Sequence, residues 1–198
     1  MKRRQIGYLV ALGLTCGRLM LALVVILLAV NGRAGLPYLL CLLLAFISDY
    51  YDGVIARHFK VATAKLRRFD SMTDVAFYGA SFIAVILLHP NIVYQYRYGL
   101  GSVLGLLLLR VAVDLLKFRR EASYHMLSTK AWGISLFAAL VALMGFNYAG
   151  WILVLAIILG ITTQLEGLAA TLILPRWSHD VPTIWHAYQI RQKVMRDA

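Results

Sequence analysis

Asp49, Asp52, Asp70 and Asp74 are four carboxylates at short, regular offsets in a chain whose other long apolar stretches carry almost no acid. The first pair lies in Asp49-Tyr50-Tyr51-Asp52-Gly53-Val54-Ile55-Ala56-Arg57 and the second in Asp70-Ser71-Met72-Thr73-Asp74. On a helix, Asp49, Asp52, Gly53 and Ala56 fall at i, i+3, i+4 and i+7 and share one stripe, and Asp70 and Asp74 share another. Two short-linked antiparallel helices then bring four oxygen-only ligands into one pocket. Hard divalent ions suit that donor set, magnesium or manganese first. An aspartate within a membrane span costs roughly 2.5–3.5 kcal/mol, so four of them need a partner of opposite charge, and function is their default reading.

The elements that must hold these acids are apolar. Of 198 residues 61% are hydrophobic, and a mean hydropathy of +0.74 is too high and too evenly spread for a soluble core of this length. Six stretches approach or exceed the roughly 20 residues a bilayer span needs: 8–30, 36–56, 70–89, 98–118, 130–148 and 151–174. Backbone groups in lipid must be satisfied internally, so all six are read as helices. The expected fold is an all-α membrane protein with six transmembrane helices and a polar metal-binding pocket at the cytoplasmic side. Residues 1–198 form one domain, with the tail 176–198 an interfacial segment carrying Trp177, Trp185, Tyr188 and basic residues.

A net charge of +11 raises the idea of nucleic acid, but the placement of the basic residues argues for orientation instead. Sixteen of the twenty Lys and Arg lie before span one, between spans two and three, between four and five, or after six, whereas the opposite loops hold only Arg33 and Arg97. The positive-inside rule puts both termini in the cytoplasm, with no nucleic-acid partner. Span one is too long for a cleaved signal peptide and is kept as structure. Cys16 and Cys41 fall within apolar spans and imply no disulfide. His125, His179 and His186 have no metal-ligand spacing and read as headgroup-level polars. A compact chain of this kind fits a bacterial plasma membrane.

Asp49 precedes Arg57 by eight residues, or about 12 Å of helix, so the carboxylates sit near the inner headgroup level. A substrate with acyl chains in the leaflet and a charged nucleotide in the cytosol meets them there. Gly53 and Ala56 bare the helix surface to a flat base or pyrophosphate, or serve as ordinary small packing residues.

Asp-x-x-Asp-Gly-x-x-Ala-Arg, eight residues, one further position, then x-x-x-Asp-x-x-x-Asp resembles the signature of the CDP-alcohol phosphatidyltransferases. Asp49, Asp52, Gly53, Ala56, Arg57, Asp70 and Asp74 match in type and spacing, while Leu66 stands where the family has glycine. The resemblance implies transfer of a phosphatidyl or similar group from a CDP-alcohol, CDP-diacylglycerol foremost, to an acceptor hydroxyl with release of CMP in phospholipid synthesis. It implies two magnesium (or manganese) ions, with Asp49, Asp52 and Asp70 as ligands and Asp74 as general base also touching a second metal. Donor contacts then include Thr15, Gly53, Ala56 and Arg57.

Thr15 and Arg18, three apart in span one, resemble the family's Asn-x-x-Thr-x-x-Arg element, with Leu12 in place of the asparagine. Relatives with phosphorylated acceptors carry basic residues on spans four and five, and Arg110, Lys117 and Lys130 are the nearest equivalents; Asp114 is an alternative internal partner for Arg110. The acceptor is a small polar or phosphorylated alcohol. Gln164 and Glu166 are further polar residues of span six, and Glu166 faces the acceptor chamber or pairs with a basic residue. Gly13 with Gly17 and Gly101 with Gly105 are Gly-x-x-x-Gly pairs of close helix packing, in keeping with the homodimers common in the family. Two other readings stay open, a divalent-cation transporter and a non-catalytic membrane scaffold. Clustering of the acids at one face and the lack of a matching set in spans five and six argue against the transporter.

Overall fold

Helix boundaries follow turn chemistry. Gly32, with φ of 68°, adopts a backbone that side-chain-bearing residues avoid just after the first helix ends, and Gly35, with φ of 78°, is the N-cap of the second, which a proline in its first turn helps to start. In the computed structural model, which describes residues 2–120, 124, 126–178 and 181–196, the described chain is helical, with no strand. The elements are α1 (Lys2–Val30), α2 (Leu36–His58), α3 (Ala64–Leu88), α4 (Pro90–Gln95), α5 (Arg97–Phe118), α6 (Leu127–Leu140), a π-helical turn (Val141–Gly145), α7 (Trp151–Ile173) and α8 (Ile184–Arg196). Among the described residues six helices are long and apolar enough to cross a membrane: α1, α2, α3, α5, α6 with its π-helical turn, and α7.

The third span departs from expectation. Its helix begins at Ala64 rather than 70, because Thr63 caps it, accepting a hydrogen bond from the Leu66 amide at 3.2 Å. Lys65, Arg67 and Arg68 therefore belong to the first turns of α3 and not to a loop. Hydropathy marks where charge gives way to lipid-like sequence, whereas the hydrogen-bond ladder runs on through charged turns. The same reason starts α1 at Lys2 instead of residue 8.

The first compact unit comprises residues 1–93 and 140–148. Within it α1 packs on both α2 and α3, which make their main contacts with α1 rather than with each other. Ala11, Thr15, Arg18, Ala22, Val25 and Ala29, spaced by three and four, form the buried face of α1. Their mostly small side chains allow close approach. Phe59, the C-cap of α2, lies against Gly7 of α1, where an added Cβ would come within 2.5 Å of its ring. The π-helical turn leans on α2, with the Gly35 amide donating to the Met144 carbonyl at 2.8 Å.

The second unit comprises residues 94–139 and 149–198. Here α5 packs on α7, and α8 packs on the end of α7 through Ala187, buried with Tyr124, Met126, Ala170, Leu174 and Val181. Lys117 Nζ donates to the carbonyls of Thr171 and Leu172 at 2.8 and 2.9 Å, satisfying orphan acceptors in the last turn of α7. Thr171 donates to Asp114 at 2.6 Å, and the Tyr124 hydroxyl lies 3.1 Å from Thr171. Burial raises the Tyr124 phenol pKa, keeping it protonated in this network.

Cys16 and Cys41 are free thiols. His125 and His179 lie outside the described residues, and His186 Nδ1 is 2.8 Å from the Thr183 hydroxyl. At Gly13, Gly17, Gly101 and Gly105 no described atom lies within 4 Å of where a Cβ would stand. This contrast sets a prediction. Gly7→Val drives a side chain into Phe59, costs about 1–3 kcal/mol as overpacking does, and lowers the melting temperature in detergent, whereas Gly79→Ala, at a helical position with open space around it, leaves it unchanged or raises it.

Candidate active site

The site lies wholly in the first unit and is built on α1. Its buried face carries Thr15 and Arg18 three residues apart, so both side chains point the same way into the junction with α2 and α3. On α2 the buried line runs through Ala45, Ser48, Asp52 and Ala56, which turns Asp52 inward and leaves Asp49, one turn earlier, with a side chain half exposed. Ser48 ties this turn to α1 by donating to the Leu14 carbonyl at 2.7 Å. On α3 the inward line of Leu66, Thr73 and Phe77 is flanked by Asp70 and Asp74, both partly exposed.

Arg18, 1% exposed, meets all four acids. Its Nη1 lies 3.1 Å from Asp49 and 3.1 Å from Asp70 and also contacts Asp74, while Nη2 lies 2.5 Å from Asp52. Thr15 Oγ1 adds a contact to Asp52 at 3.2 Å and one to the Ala11 carbonyl at 3.0 Å. Thr73 donates to the Asp70 carbonyl at 2.7 Å. The planar fork of a guanidinium is what lets one residue bridge carboxylates from two helices.

One carboxylate oxygen each from Asp49, Asp70 and Asp74 lie within 4.8 Å of one another. These are the three acids that share Nη1. Oxygen donors this close, on two helices held at fixed separation by α1, fit a hard divalent cation. With the five groups ionised the cluster carries three more negative charges than positive, an excess that such cations would relieve.

Beside the cluster opens a pocket of about 320 Å³ lined by Ala11, Thr15, Asp52, Gly53, Ala56, Arg57, Ala62, Leu66, Arg67 and Asp70. Gly53 has no side chain to fill it, and the Arg57 guanidinium folds back over it from the next turn, 3.4 Å from where a Cβ would stand. Leu66, at the position of the family glycine, is buried and packs with Ala11 and Ala56 to form a wall. Thus Thr15, Asp52, Gly53, Ala56, Arg57 and Asp70 share the pocket, and Asp49 and Asp74 join Asp70 at its acidic edge.

Arg110, Lys117 and Lys130 lie in the second unit. Arg110 donates to Gln164 at 3.3 Å, sits 3.9 Å from Asp114 and occupies the space that Gly167 leaves open. Lys117 is engaged by α7 carbonyls, and Lys130 is exposed. Sequence reasoning missed the central place of Arg18. The signal was present: an arginine over ten residues into an apolar span needs partners within the fold, and the acids of spans two and three were the nearest candidates. It also missed Arg67 as a pocket residue, having assigned it to a loop.

No curated protein and no solved structure matches the chain significantly. The sequence profile of one family does, over residues 8–162, a stretch that includes the whole acidic motif, the Thr15–Arg18 turn and the pocket walls. With that match covering most of its length, the chain belongs to the CDP-alcohol phosphatidyltransferase family.

Proposed function

We propose that this protein transfers a phosphatidyl group from a CDP-alcohol, CDP-diacylglycerol foremost, to an acceptor hydroxyl and releases CMP, serving phospholipid synthesis in a bacterial plasma membrane with both termini in the cytoplasm. The observation that carries the reading is the convergence of all four signature carboxylates on one guanidinium beside an open pocket. Family membership supports phosphatidyl transfer from a CDP-alcohol, and six apolar helices support a multi-pass membrane enzyme.

The lining suits a nucleotide diphosphate. Ala11, Gly53 and Ala56 leave low walls for a flat base, Thr15 offers a hydroxyl, and Arg57 and Arg67 offer cations to phosphate oxygens. Asp49, Asp52, Asp70 and Asp74 would hold magnesium or manganese, two ions as the family resemblance implies. Such ions, when bound, neutralise the diphosphate and stabilise the charge that gathers on departing CMP. Asp74, at the partly exposed edge of the cluster, accepts the proton of the acceptor hydroxyl. The acceptor oxygen forms its bond to the phosphorus bearing the diacylglycerol, and the bond from that phosphorus to the bridging oxygen breaks, the oxygen leaving with CMP.

For the acceptor, a small polar or phosphorylated alcohol, Lys130 is the first cation to test, since Arg110 and Lys117 already have partners in their own unit. The exposed Trp185, Tyr188 and Met195 of α8, with Arg191, Lys193 and Arg196, favour a place at the membrane surface for the tail. The open glycine pairs of α1 and α5 favour homodimerisation.

CMP release from CDP-diacylglycerol, magnesium and a panel of acceptor alcohols tests the reading. Release that Asp70→Ala abolishes supports it; no release with any acceptor leaves the transporter or the scaffold. Asp74→Asn lowers turnover by about two to four orders of magnitude, the range of a lost general base, while donor binding is retained, and normal turnover removes the base assignment. Lys130→Ala raises the acceptor KM over the donor KM by about tenfold, the scale of one hydrogen bond to a charged group; equal change in both would remove that contact.

A further inference from the structure

One carboxylate oxygen each of Asp49, Asp70 and Asp74 lie within 4.8 Å of one another, and the same three residues are gathered on a single nitrogen, Arg18 Nη1. The other terminal nitrogen, Nη2, is committed to Asp52, which Thr15 also holds. The Nε atom is buried and has no hydrogen-bond partner among the described residues, so among them the guanidinium is oriented by its two terminal nitrogens. From these observations we infer that Arg18 is a positioning residue acting as a built-in cation: Nη1 holds Asp49, Asp70 and Asp74 together until divalent ions take them, and Nη2 keeps its hold on Asp52 Oδ2 throughout, leaving Asp52 Oδ1 for a metal. The inference rests on the proposal that this cluster binds divalent metal.

Physical reasons support an exchange over simple coexistence. The three carboxylates cannot direct the same lone pairs at both an arginine nitrogen and a divalent ion, so the two cations compete, and by linkage each weakens the other. Without any cation, four carboxylates on neighbouring helices would repel one another and push α2 and α3 apart. Arg18 prevents this at the cost of metal affinity. Charge gives the arrangement a second use. Two divalent ions alone would neutralise four carboxylates; with Arg18 retained on Asp52 the loaded cluster carries one net positive charge, which favours an anionic diphosphate in the adjoining pocket that Asp52 and Asp70 help to line.

The test is Mn²⁺ binding to purified full-length protein, followed by electron paramagnetic resonance without donor, together with melting temperature in metal-free and Mn²⁺ buffers. Arg18→Met keeps much of the volume and removes the charge. Its Mn²⁺ Kd tightens by about tenfold, within the usual range of coupling between competing sites, its metal-free melting temperature falls, and Mn²⁺ raises that temperature more than in the wild type. A merely structural arginine would leave the Kd unchanged or weaken it, and either result overturns the inference. Recovery of Arg18→Met only in Mn²⁺-containing buffer supports it. Where that variant is recovered in neither buffer, Arg18→Lys decides: its single ammonium cannot span both groups of acids, so the Kd tightens by roughly threefold, and a wild-type Kd overturns the inference. Absence of Mn²⁺ binding in the wild type would instead remove the metal proposal itself, and this role with it.

Discussion

The interaction between Arg18 and the four aspartates is the constraint on which the first unit depends. Asp49 and Asp52 come from α2, Asp70 and Asp74 from α3, and those helices make their main contacts with α1 rather than with one another. The acids meet around a cation that α1 brings between them. An apolar setting makes this pairing stronger and its loss more damaging than at a surface, because a buried charge without its partner keeps its full desolvation cost. The small buried face of α1, with Ala11, Ala22 and Ala29 on either side of Thr15 and Arg18, lets the flanking helices approach closely enough for one side chain to touch both.

The pocket follows from the same geometry. Where α1, α2 and α3 converge below the acids, Ala11, Gly53 and Ala56 leave space that Leu66 closes on one side. Arg57 and Arg67 stand over that space because each is one turn or less from a motif residue, Gly53 in one case and Asp70 in the other. A nucleotide diphosphate bound there would have its phosphates beside the acidic cluster. The second unit is organised differently: its polar groups, Arg110, Asp114, Gln164, Thr171, Tyr124 and Lys117, are largely spent on one another and on the end of α7.

Much of the fold was legible in the sequence, and the failures have physical causes. Each apolar stretch that was picked out forms a long helix, since lipid-like composition over about 20 residues leaves little alternative. The start of α3 was misplaced because the capping signal, Thr63 followed three residues later by Leu66, carries no charge or hydropathy contrast. The spacing of the acids correctly anticipated that Asp49, Asp70 and Asp74 come together. It could not show that an arginine from a third helix would be their common partner, because contacts such as Arg18 to Asp74 span more than fifty residues of chain. Nor could spacing reveal that the Gly-x-x-x-Gly pairs have nothing within 4 Å of where a Cβ would stand, among the described residues. The motif resemblance picked out the residues of the proposed site, and the packing of α1 explains how the motif is held.

The most direct test of the central claim is a structure of the protein with Mn²⁺ and a CDP-alcohol, with the ions located by anomalous scattering. The account predicts anomalous density among Asp49, Asp52, Asp70 and Asp74, with the diphosphate in the pocket beside Gly53 and Arg57. Density elsewhere, or carboxylates turned away from one another around the bound donor, would contradict it.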